Sequence, residues 1–541
     1  MTFFAMMMIL MIIMMSGMAV DLMRYERMRV AIQNTNDEAV LAAANLNQAQ
    51  DPETVVRDYF AKAGMTDYLQ SVTVTQGTNL KNVTATTAAT LPTYFMRTSG
   101  IDTLNTTGVS TAEQSIGNVE IAMALDNSGS MTQQAVSGSY EQCTTKKRRG
   151  VSYQSCQTVY TYTTKIAALI TAANQFVDQM FSQVQPGALT MSILPYDSHL
   201  NIGNLMSYLN VSNENTVAKC IDFQAADFNT TAITTSMLLQ RSGNFDGWDW
   251  GTTMYPECNS SSYRNAIAFS ADKTALHNTI NALKASGNTS IDTGVKWAAA
   301  TLDPAFQPVV NGMIKNGVLD ASYAGRPAAY SDHTFMKVLI VMSDGENTTR
   351  LQLNPGYYSG NSGYFTTGTS SYWSFYDSSM GSTPYFWKYD GKWHASNYFK
   401  GASSQPCSGS CSNYTVTDSA AATTATQWDW AQIWAKWPVQ YFTNNVIGTV
   451  YGSGATGTWY YKIVNPVSST TMDDYMHNIC SAAKANGVLV YAIGFQTTAH
   501  GAATLQDCAS KPSFYFDAEG TEISNVFSLI ASSIVHLRLT Q

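Results

Sequence analysis

The amino terminus carries the longest apolar stretch of the sequence. Residues 3–20 contain no charged side chain, and residues 21–47 continue without proline or glycine. The apolar part is about as long as a helix that crosses a bilayer. The pattern predicts one long helix over residues 1–50, apolar in its first half and amphipathic in its second. A cleaved signal peptide is the alternative, but no basic segment precedes the run and no clear cleavage site follows it.

Residues 51–116 change to shorter patterns. Residues 52–64 place Val55, Val56 and Phe60 on one helical face. Alternating segments typical of β-strands follow at 69–74, 83–86, 92–96 and 99–115. We therefore predict a small α+β domain over residues 51–116, and a helix-on-sheet module of this size resembles a pilin-like domain.

From residue 117 onwards, apolar strand segments alternate with amphipathic helices. The predicted strands are 119–125, 188–194, 337–342, 488–495 and 513–516, and the predicted helices are 163–181, 272–285, 291–302, 472–486 and 523–535. This alternation is typical of an α/β fold with a doubly wound sheet and helices on both faces. The predicted domain spans residues 117–541, with insertions at about 131–162, 201–263 and 350–467.

The last insertion is rich in aromatic residues, which are separated mostly by glycine and serine between residues 357 and 399. Aromatic side chains with small spacers suit a binding surface. They equally suit a disulfide-pinned subdomain with a small aromatic core. The sequence leaves both interpretations open.

Polar side chains follow two of the predicted strands. Asp126, Ser128 and Ser130 occupy alternate positions after the first strand, and Asp344 follows a later one. Thr289 precedes a predicted helix. In an open α/β sheet, ligands bind at the carboxyl ends of the strands, and Mg²⁺ prefers oxygen ligands. The pattern predicts a metal site at this edge of the sheet.

The three segments resemble the metal-ion-dependent adhesion site (MIDAS) of von Willebrand factor type A (VWA) domains. The resemblance implies that Asp126, Ser128 and Ser130 form the first ligand loop, Thr289 the second and Asp344 the third. It implies Mg²⁺ as the cofactor, with Ca²⁺ or Mn²⁺ as alternatives, and a free position for a carboxylate from a protein partner. We expect no enzymatic activity, because these ligands include no general base and the sequence has neither a nucleotide-binding loop nor a nucleophile elbow.

The amino-terminal segment resembles TadE/TadG-type proteins of the tight-adherence (Tad) pilus system. The matching residues are Phe4 and Ala5, the exit segment 17–21 and the alanine-rich patch 41–44. The resemblance implies an exported, membrane-anchored protein that binds a partner through its MIDAS during pilus assembly or anchoring. Pilus or secretion-machinery components are the partners it implies. The alternative is an adhesin at the cell surface or filament tip, which would contact a host surface, matrix or glycan through the aromatic insertions.

Composition supports export. Charged residues make up 13% of the sequence, against about 25% in an average soluble protein, and the net charge of -8 argues against a nucleic-acid partner. The eight cysteines form an even set, as is typical of disulfides in an oxidising compartment. We predict pairs between sequence neighbours, which are Cys143 with Cys156, Cys220 with Cys258, Cys407 with Cys411, and Cys480 with Cys508.

The predicted location is the inner membrane, with a single-pass helix and a periplasmic domain. One pattern argues the other way. Arg24, Arg27 and Arg29 follow the apolar run, and the positive-inside rule would place this side in the cytoplasm. Cysteines and composition favour export, and a basic leader missing from the amino terminus would restore the expected orientation. The cell surface and the pilus are the alternative locations.

Overall fold

A computed structural model describes most of the chain. The described residues are 2–45, 48, 50–76, 80–115, 118–332, 334–366, 373–395, 397, 403–404, 416–417 and 425–536. The chain divides into two compact units. The first unit comprises residues 1–118, 182–188 and 532–541, and the second comprises 119–181 and 189–531.

The first unit combines two helices with an antiparallel sheet. Its elements are α1 (Thr2–Ala44), α2 (Pro52–Lys62), β1 (Leu69–Gln76), β2 (Leu80–Pro92) and β3 (Thr103–Ser115). The strands are ordered β1-β2-β3. The sequence predicted separate strands at 83–86 and 92–96, but β2 runs unbroken because it pairs with β3 from Leu80 through Pro92. Proline is tolerated there because it lies at the end of the strand.

The two halves of α1 have different surroundings within this unit. Side chains of the second half, including Ala39, Val40 and Ala43, pack with Phe60 of α2 and Val83 of β2. The first half exposes large apolar side chains from Phe3 to Met15. Within the described residues, α1 is the one helix long and apolar enough to cross a membrane. The predicted apolar amino-terminal helix is therefore present.

The second unit is built on a six-stranded sheet with the order β20-β19-β9-β4-β7-β8. Its strands are β4 (Asn118–Asp126), β7 (Leu189–Tyr196), β8 (Ile267–Ser270), β9 (Phe335–Ser343), β19 (Leu489–Phe495) and β20 (Tyr515–Ala518). β4 and β7 pair in parallel, as do β9 with β19 and β19 with β20. β8 is antiparallel to β7. The mixed α/β class predicted from the sequence is confirmed.

Seven helices of eight or more residues accompany this sheet in the described part of the unit, apart from those of the large insertion. They are α3 (Lys165–Gln183), α4 (Lys273–Asn281), α5 (Ile291–Leu302), α6 (Gln307–Lys315), α11 (Ser469–Ala485), α12 (Ala499–Cys508) and α13 (Ile523–His536). Every residue of α5 is buried. The sequence missed α6, α12 and the four-residue strand β8. The apolar pattern of α12 is weak, since only Gly501, Leu505 and Cys508 are buried.

The first insertion is a β-hairpin formed by β5 (Gln134–Arg148) and β6 (Val151–Thr164). Arg149 and Gly150 make the turn with positive φ angles of 51° and 83°. Cys143 pairs with Cys156 across the strands. Two other predicted disulfides also form, Cys220–Cys258 and Cys480–Cys508, whereas Cys407 and Cys411 lie outside the described residues.

The last insertion contains small strands and short helices. They are β10 (Arg350–Leu353), β11 (Asn361–Thr366), β12 (Trp373–Tyr376), β13 (Tyr385–Trp387), β14 (Lys392–His394), β15 (Ser403–Ser404), β16 (Val416–Thr417), β17 (Thr426–Asp429), α7 (Trp430–Trp434), α8 (Val439–Phe442), α9 (Gly448–Tyr451), α10 (Thr456–Ile463) and β18 (Val464–Val467). Many of its described aromatic side chains share one buried cluster, among them Tyr364, Trp373, Phe375, Phe386 and Trp434. The sequence left open whether the aromatic residues form a binding surface or a small core. The buried cluster agrees with the small core.

Candidate metal site at the sheet edge

The site begins where two neighbouring central strands end. β4 ends at Asp126 and β9 ends at Ser343, followed by Asp344. The Ser343 hydroxyl donates a hydrogen bond to Asp126 Oδ2 at 2.7 Å. Because β4 and β9 are adjacent in the sheet, their ends place the two predicted carboxylates side by side.

Hydroxyl groups of the first loop connect these carboxylates. The Ser128 backbone N–H donates to Asp126 Oδ1 at 2.7 Å. The hydroxyls of Ser128 and Ser130 are hydrogen-bonded to each other at 3.0 Å, and the Ser130 hydroxyl donates to Asp344 Oδ1 at 2.6 Å. The structure therefore brings four of the five predicted ligand residues into one hydrogen-bonded cluster.

The fifth predicted residue, Thr289, lies on a loop that rests against the first. The carbonyl of Gly287 accepts the Gly129 N–H at 2.9 Å. Gly287 has a φ angle of +87°, and a Cβ there would lie 2.8 Å from Asp197 Oδ2, so both backbone conformation and space favour glycine. Thr289 is buried, and its N–H donates to the Thr348 hydroxyl at 2.8 Å.

The two buried carboxylates of the cluster, Asp126 and Asp344, favour a positive charge beside them. Asp126 is buried, and burial raises its pKa to about 7, with the nearby Asp344 carboxylate as the next cause. Two carboxylates held together in a poorly solvated site repel each other, and a cation between them relieves that repulsion. Carboxylate and hydroxyl oxygens are also the donor set that Mg²⁺ prefers. The residues present therefore fit a hard divalent cation.

The sequence pattern did not predict that a lysine of the chain, Lys165, brings positive charge to the cluster. Lys165, the first residue of α3, places Nζ 2.9 Å from Asp344 Oδ2, and both side chains are buried. Its backbone N–H donates to the Gln133 carbonyl at 2.9 Å. The hairpin separates Lys165 from the first loop in sequence. The available signal was a single lysine at the start of an amphipathic helix.

A second set of contacts fixes the loops that surround the cluster. Arg350 donates to both carboxylate oxygens of Asp292 at 2.8 and 2.9 Å, and both residues are buried. Asn347 Oδ1 accepts the Ile291 N–H at 2.8 Å. These contacts join the segment after β9 to the start of α5, just after Thr289. The sequence did not reveal them because the partners are far apart along the chain.

The cluster presents hydroxyl and carboxylate oxygens, the donor set of a hard-cation site. The Ser128 and Ser130 hydroxyls are hydrogen-bonded to each other, and the Ser130 hydroxyl also donates to the carboxylate of Asp344.

A family described as putative Flp pilus-assembly, TadE/G-like, matches residues 1–47. No protein with a curated description matches the sequence significantly. Among solved structures, the chain is similar to the vWF domain of the type V pili tip protein Mfa5 from Porphyromonas gingivalis, at 11% identity and a TM-score of 0.31, covering 79% of this chain and 97% of that one.

Two further solved structures give similar values. The pilus adhesin SpaC from Lactobacillus rhamnosus GG matches at 11% identity and a TM-score of 0.31, over 87% of this chain and 34% of SpaC. A mutant of the PilB minor pilin from Streptococcus sanguinis matches at 11% identity and a TM-score of 0.30, over 86% of this chain and 79% of PilB. Because these TM-scores are low, the structural likenesses carry no weight in assigning the fold. The family match at residues 1–47 supports a pilus-associated protein of the Tad type.

Proposed function

We propose that this chain is a membrane-anchored protein of the tight-adherence pilus system, whose second unit is a doubly wound VWA domain that binds a protein partner through Mg²⁺. The observation that carries the proposal is the cluster at the sheet edge, where the Ser130 hydroxyl connects the first loop to Asp344. β4 and β9 lie at the centre of the sheet, and open α/β sheets bind ligands at the carboxyl ends of their strands.

In this proposal Asp126, Ser128, Ser130, Thr289 and Asp344 hold the metal. The bound ion would supply a Lewis-acidic position that attracts a carboxylate from the partner. The chain's own residues prepare that position. Ser343 orients Asp126 through its hydrogen bond, and Lys165 neutralises part of the negative charge at Asp344.

The amino-terminal helix supports the anchoring part of the proposal. Residues 1–47 match the Tad family, and the exposed apolar half of α1 suits lipid or the apolar interior of a filament. Three disulfides suit an oxidising compartment. We therefore place the protein in the inner membrane, with the apolar half of α1 as a single-pass helix and the second unit as a periplasmic domain.

The metal site is tested with the metal alone. The full chain in detergent is titrated with Mn²⁺ and free Mn²⁺ is followed by electron paramagnetic resonance, with Mg²⁺ as competitor. We expect one saturable site that Mg²⁺ displaces and that Asp126→Ala abolishes. Asp67→Ala removes an exposed carboxylate of the first unit and should leave binding intact. Equal binding by wild type and Asp126→Ala would overturn the metal site.

An adhesin at the cell surface or filament tip is the second candidate. It is favoured by Trp248, Trp250 and Tyr255, which are 48%, 69% and 68% exposed, because exposed aromatic side chains often form binding surfaces. Shearing intact cells and immunoblotting the sheared and inner-membrane fractions separates the two. Recovery in the membrane supports anchoring or assembly, and recovery with sheared filaments supports the adhesin.

A further inference from the structure

A cavity of about 590 Å³ lies beside the candidate metal site. Gly287 and Asn288 form part of its wall, and the Gly287 carbonyl accepts a hydrogen bond from Gly129 of the first metal loop. The cavity and the metal cluster therefore share one loop. A partner bound at the metal would have the cavity within reach.

Glu257 lines this cavity with a carboxyl group whose hydrogen bonds are incomplete. Only 6% of the residue is exposed. Its Oε1 atom is buried and has no hydrogen-bond partner among the residues that the structure describes. Leaving a buried acceptor unpaired is destabilising, and more so for a charged group, so a hydrogen-bond donor at this atom would be stabilising.

The neighbouring carboxylates already have partners. Asp197, which also lines the cavity, forms a buried ion pair with Arg264. Asp246 accepts backbone N–H groups from Trp248, Asp249 and Tyr255 at 2.8, 3.1 and 2.8 Å. Among these acidic groups, Glu257 is the one with an oxygen left to accept a donor.

The surroundings of Glu257 are short of positive charge. Burial raises the pKa of Glu257 well above its usual range, and the Asp246 and Asp197 carboxylates raise it further. An incoming cation would interact favourably with all of these carboxylates.

The walls of the cavity select the kind of cation. Trp248 and Tyr255 line it and are partly exposed, and aromatic faces attract ammonium and guanidinium groups. A bare metal ion fits poorly, since Ca²⁺ and Mg²⁺ need about six or more oxygen ligands and the other carboxylates are engaged. The space is also far larger than one ion needs.

We propose that this cavity binds the positively charged side chain of a lysine or arginine on a protein partner, with Glu257 accepting its hydrogen bonds and the aromatic rings covering its charge. This site goes beyond the proposed metal-dependent function and does not require the metal. A partner that uses both sites would present a basic and an acidic side chain close together.

Saturation-transfer NMR tests the site with three small probes, N-acetyl-arginine amide, N-acetyl-lysine amide and the neutral N-acetyl-glutamine amide. The full chain in detergent is used, with EDTA present. We expect saturation transfer to the side-chain protons of at least one cationic probe and none to the neutral probe. No transfer to either cation in the wild type would overturn the proposal.

Variants locate the binding. Glu257→Gln should weaken binding about tenfold, because a bound cation favours the ionised form of Glu257 and glutamine cannot ionise. Trp248→Ala, which removes a half-exposed ring and its hydrogen bond to the Glu257 carboxyl, should weaken it about threefold. Glu214→Gln removes a partly buried carboxylate of the same insertion that does not line the cavity and should change nothing. Unchanged affinity in both Glu257→Gln and Trp248→Ala would place the probe elsewhere and overturn the proposal.

The two proposals fail separately. Asp126→Ala should lose Mn²⁺ binding and keep the cationic probe, because the cavity does not contain Asp126. Loss of probe binding in Glu257→Gln with Mn²⁺ binding intact supports the cavity alone. Absence of Mn²⁺ binding in the wild type, with probe binding present, overturns only the metal site.

Discussion

Lys165 Nζ lies 2.9 Å from Asp344 Oδ2, and the two side chains are 5% and 0% exposed. The other oxygen of Asp344 accepts the Ser130 hydroxyl. One predicted metal ligand is therefore already paired with a cation from its own chain. This pairing lowers the free-energy cost of burying the Asp344 carboxylate beside Asp126. A divalent cation would bring further positive charge to a cluster whose negative charge is already partly neutralised.

Lys165→Met is expected to destabilise the metal-free protein. Removing one partner of a buried ion pair costs about 3 to 5 kcal/mol because the other charge stays buried and uncompensated. Mg²⁺ would supply the missing positive charge. The melting temperature of Lys165→Met should therefore be lower than that of the wild type in EDTA and should rise more than the wild type's when Mg²⁺ is added.

Lys337→Met is a matched control for that experiment. Lys337 is a buried lysine whose Nζ lies 2.5 Å from the buried carboxylate of Glu120, away from the metal cluster. The melting temperature of Lys337→Met should fall by a comparable amount in EDTA. Added Mg²⁺ should raise it no more than it raises the melting temperature of the wild type. If the two variants responded equally to Mg²⁺, the link between Lys165 and the metal would be wrong.

Glu257 is expected to make the fold less stable as pH rises. Its folded-state pKa is raised well above the usual 4.5, first by burial. Below the unfolded pKa the group is protonated in both states. Between the unfolded and the folded pKa, the unfolded chain loses this proton while the folded chain keeps it, so the free energy of unfolding falls as pH rises. The fall ends once pH exceeds the folded pKa.

The measurement compares melting temperatures of Glu257→Gln and wild type between about pH 5 and pH 8. Glutamine cannot ionise, so the melting temperature of Glu257→Gln should rise relative to that of the wild type as pH increases. A difference that stays constant across this range would show that the carboxyl is not buried in the way described.

Asp21 is expected to hold α1 in place within the first unit. Its carboxylate accepts the backbone N–H groups of Tyr94, Phe95 and Met96 at distances from 2.8 to 3.1 Å. Asp21→Ala leaves these donors unpaired, at a cost of about 1 to 3 kcal/mol. Hydrogen exchange at these three amides should then be about 10-fold faster or more. Glu26→Ala, which removes an exposed ion pair with Arg29, should leave their exchange unchanged.

The positions of the main strands could be predicted from the sequence because each is a short, continuous apolar segment. Asp126 and Asp344 could be placed at strand ends for the same reason, and the structure brings them together. Their role as metal ligands stays a prediction. Helix α12 was missed because few of its residues are buried.

Relationships across the chain could not be read from the pattern. Lys165 reaches Asp344 only because the hairpin returns the chain to the cluster before α3 begins. Glu257 approaches Asp197 and Asp246 through folding of an irregular insertion that has no periodic pattern. Whether the aromatic insertion forms a core or a surface depends on burial, which spacing of aromatic residues does not determine.

Thr289 provides the sharpest test of the predicted ligand set, because its residue type can be changed in two controlled ways. Thr289→Ser keeps the hydroxyl and removes a methyl group, whereas Thr289→Val keeps the shape and removes the hydroxyl. If the hydroxyl supports the metal directly or through water, Thr289→Val should weaken Mn²⁺ binding by about 10-fold or more, and Thr289→Ser should stay close to wild type. The measurement is the Mn²⁺ titration in detergent. The backbone N–H of Thr289 bonds to Thr348 in either variant, so the loop itself should persist. Equal Mn²⁺ affinity in the two variants would remove Thr289 from the site and leave a cluster of Asp126, Ser128, Ser130 and Asp344.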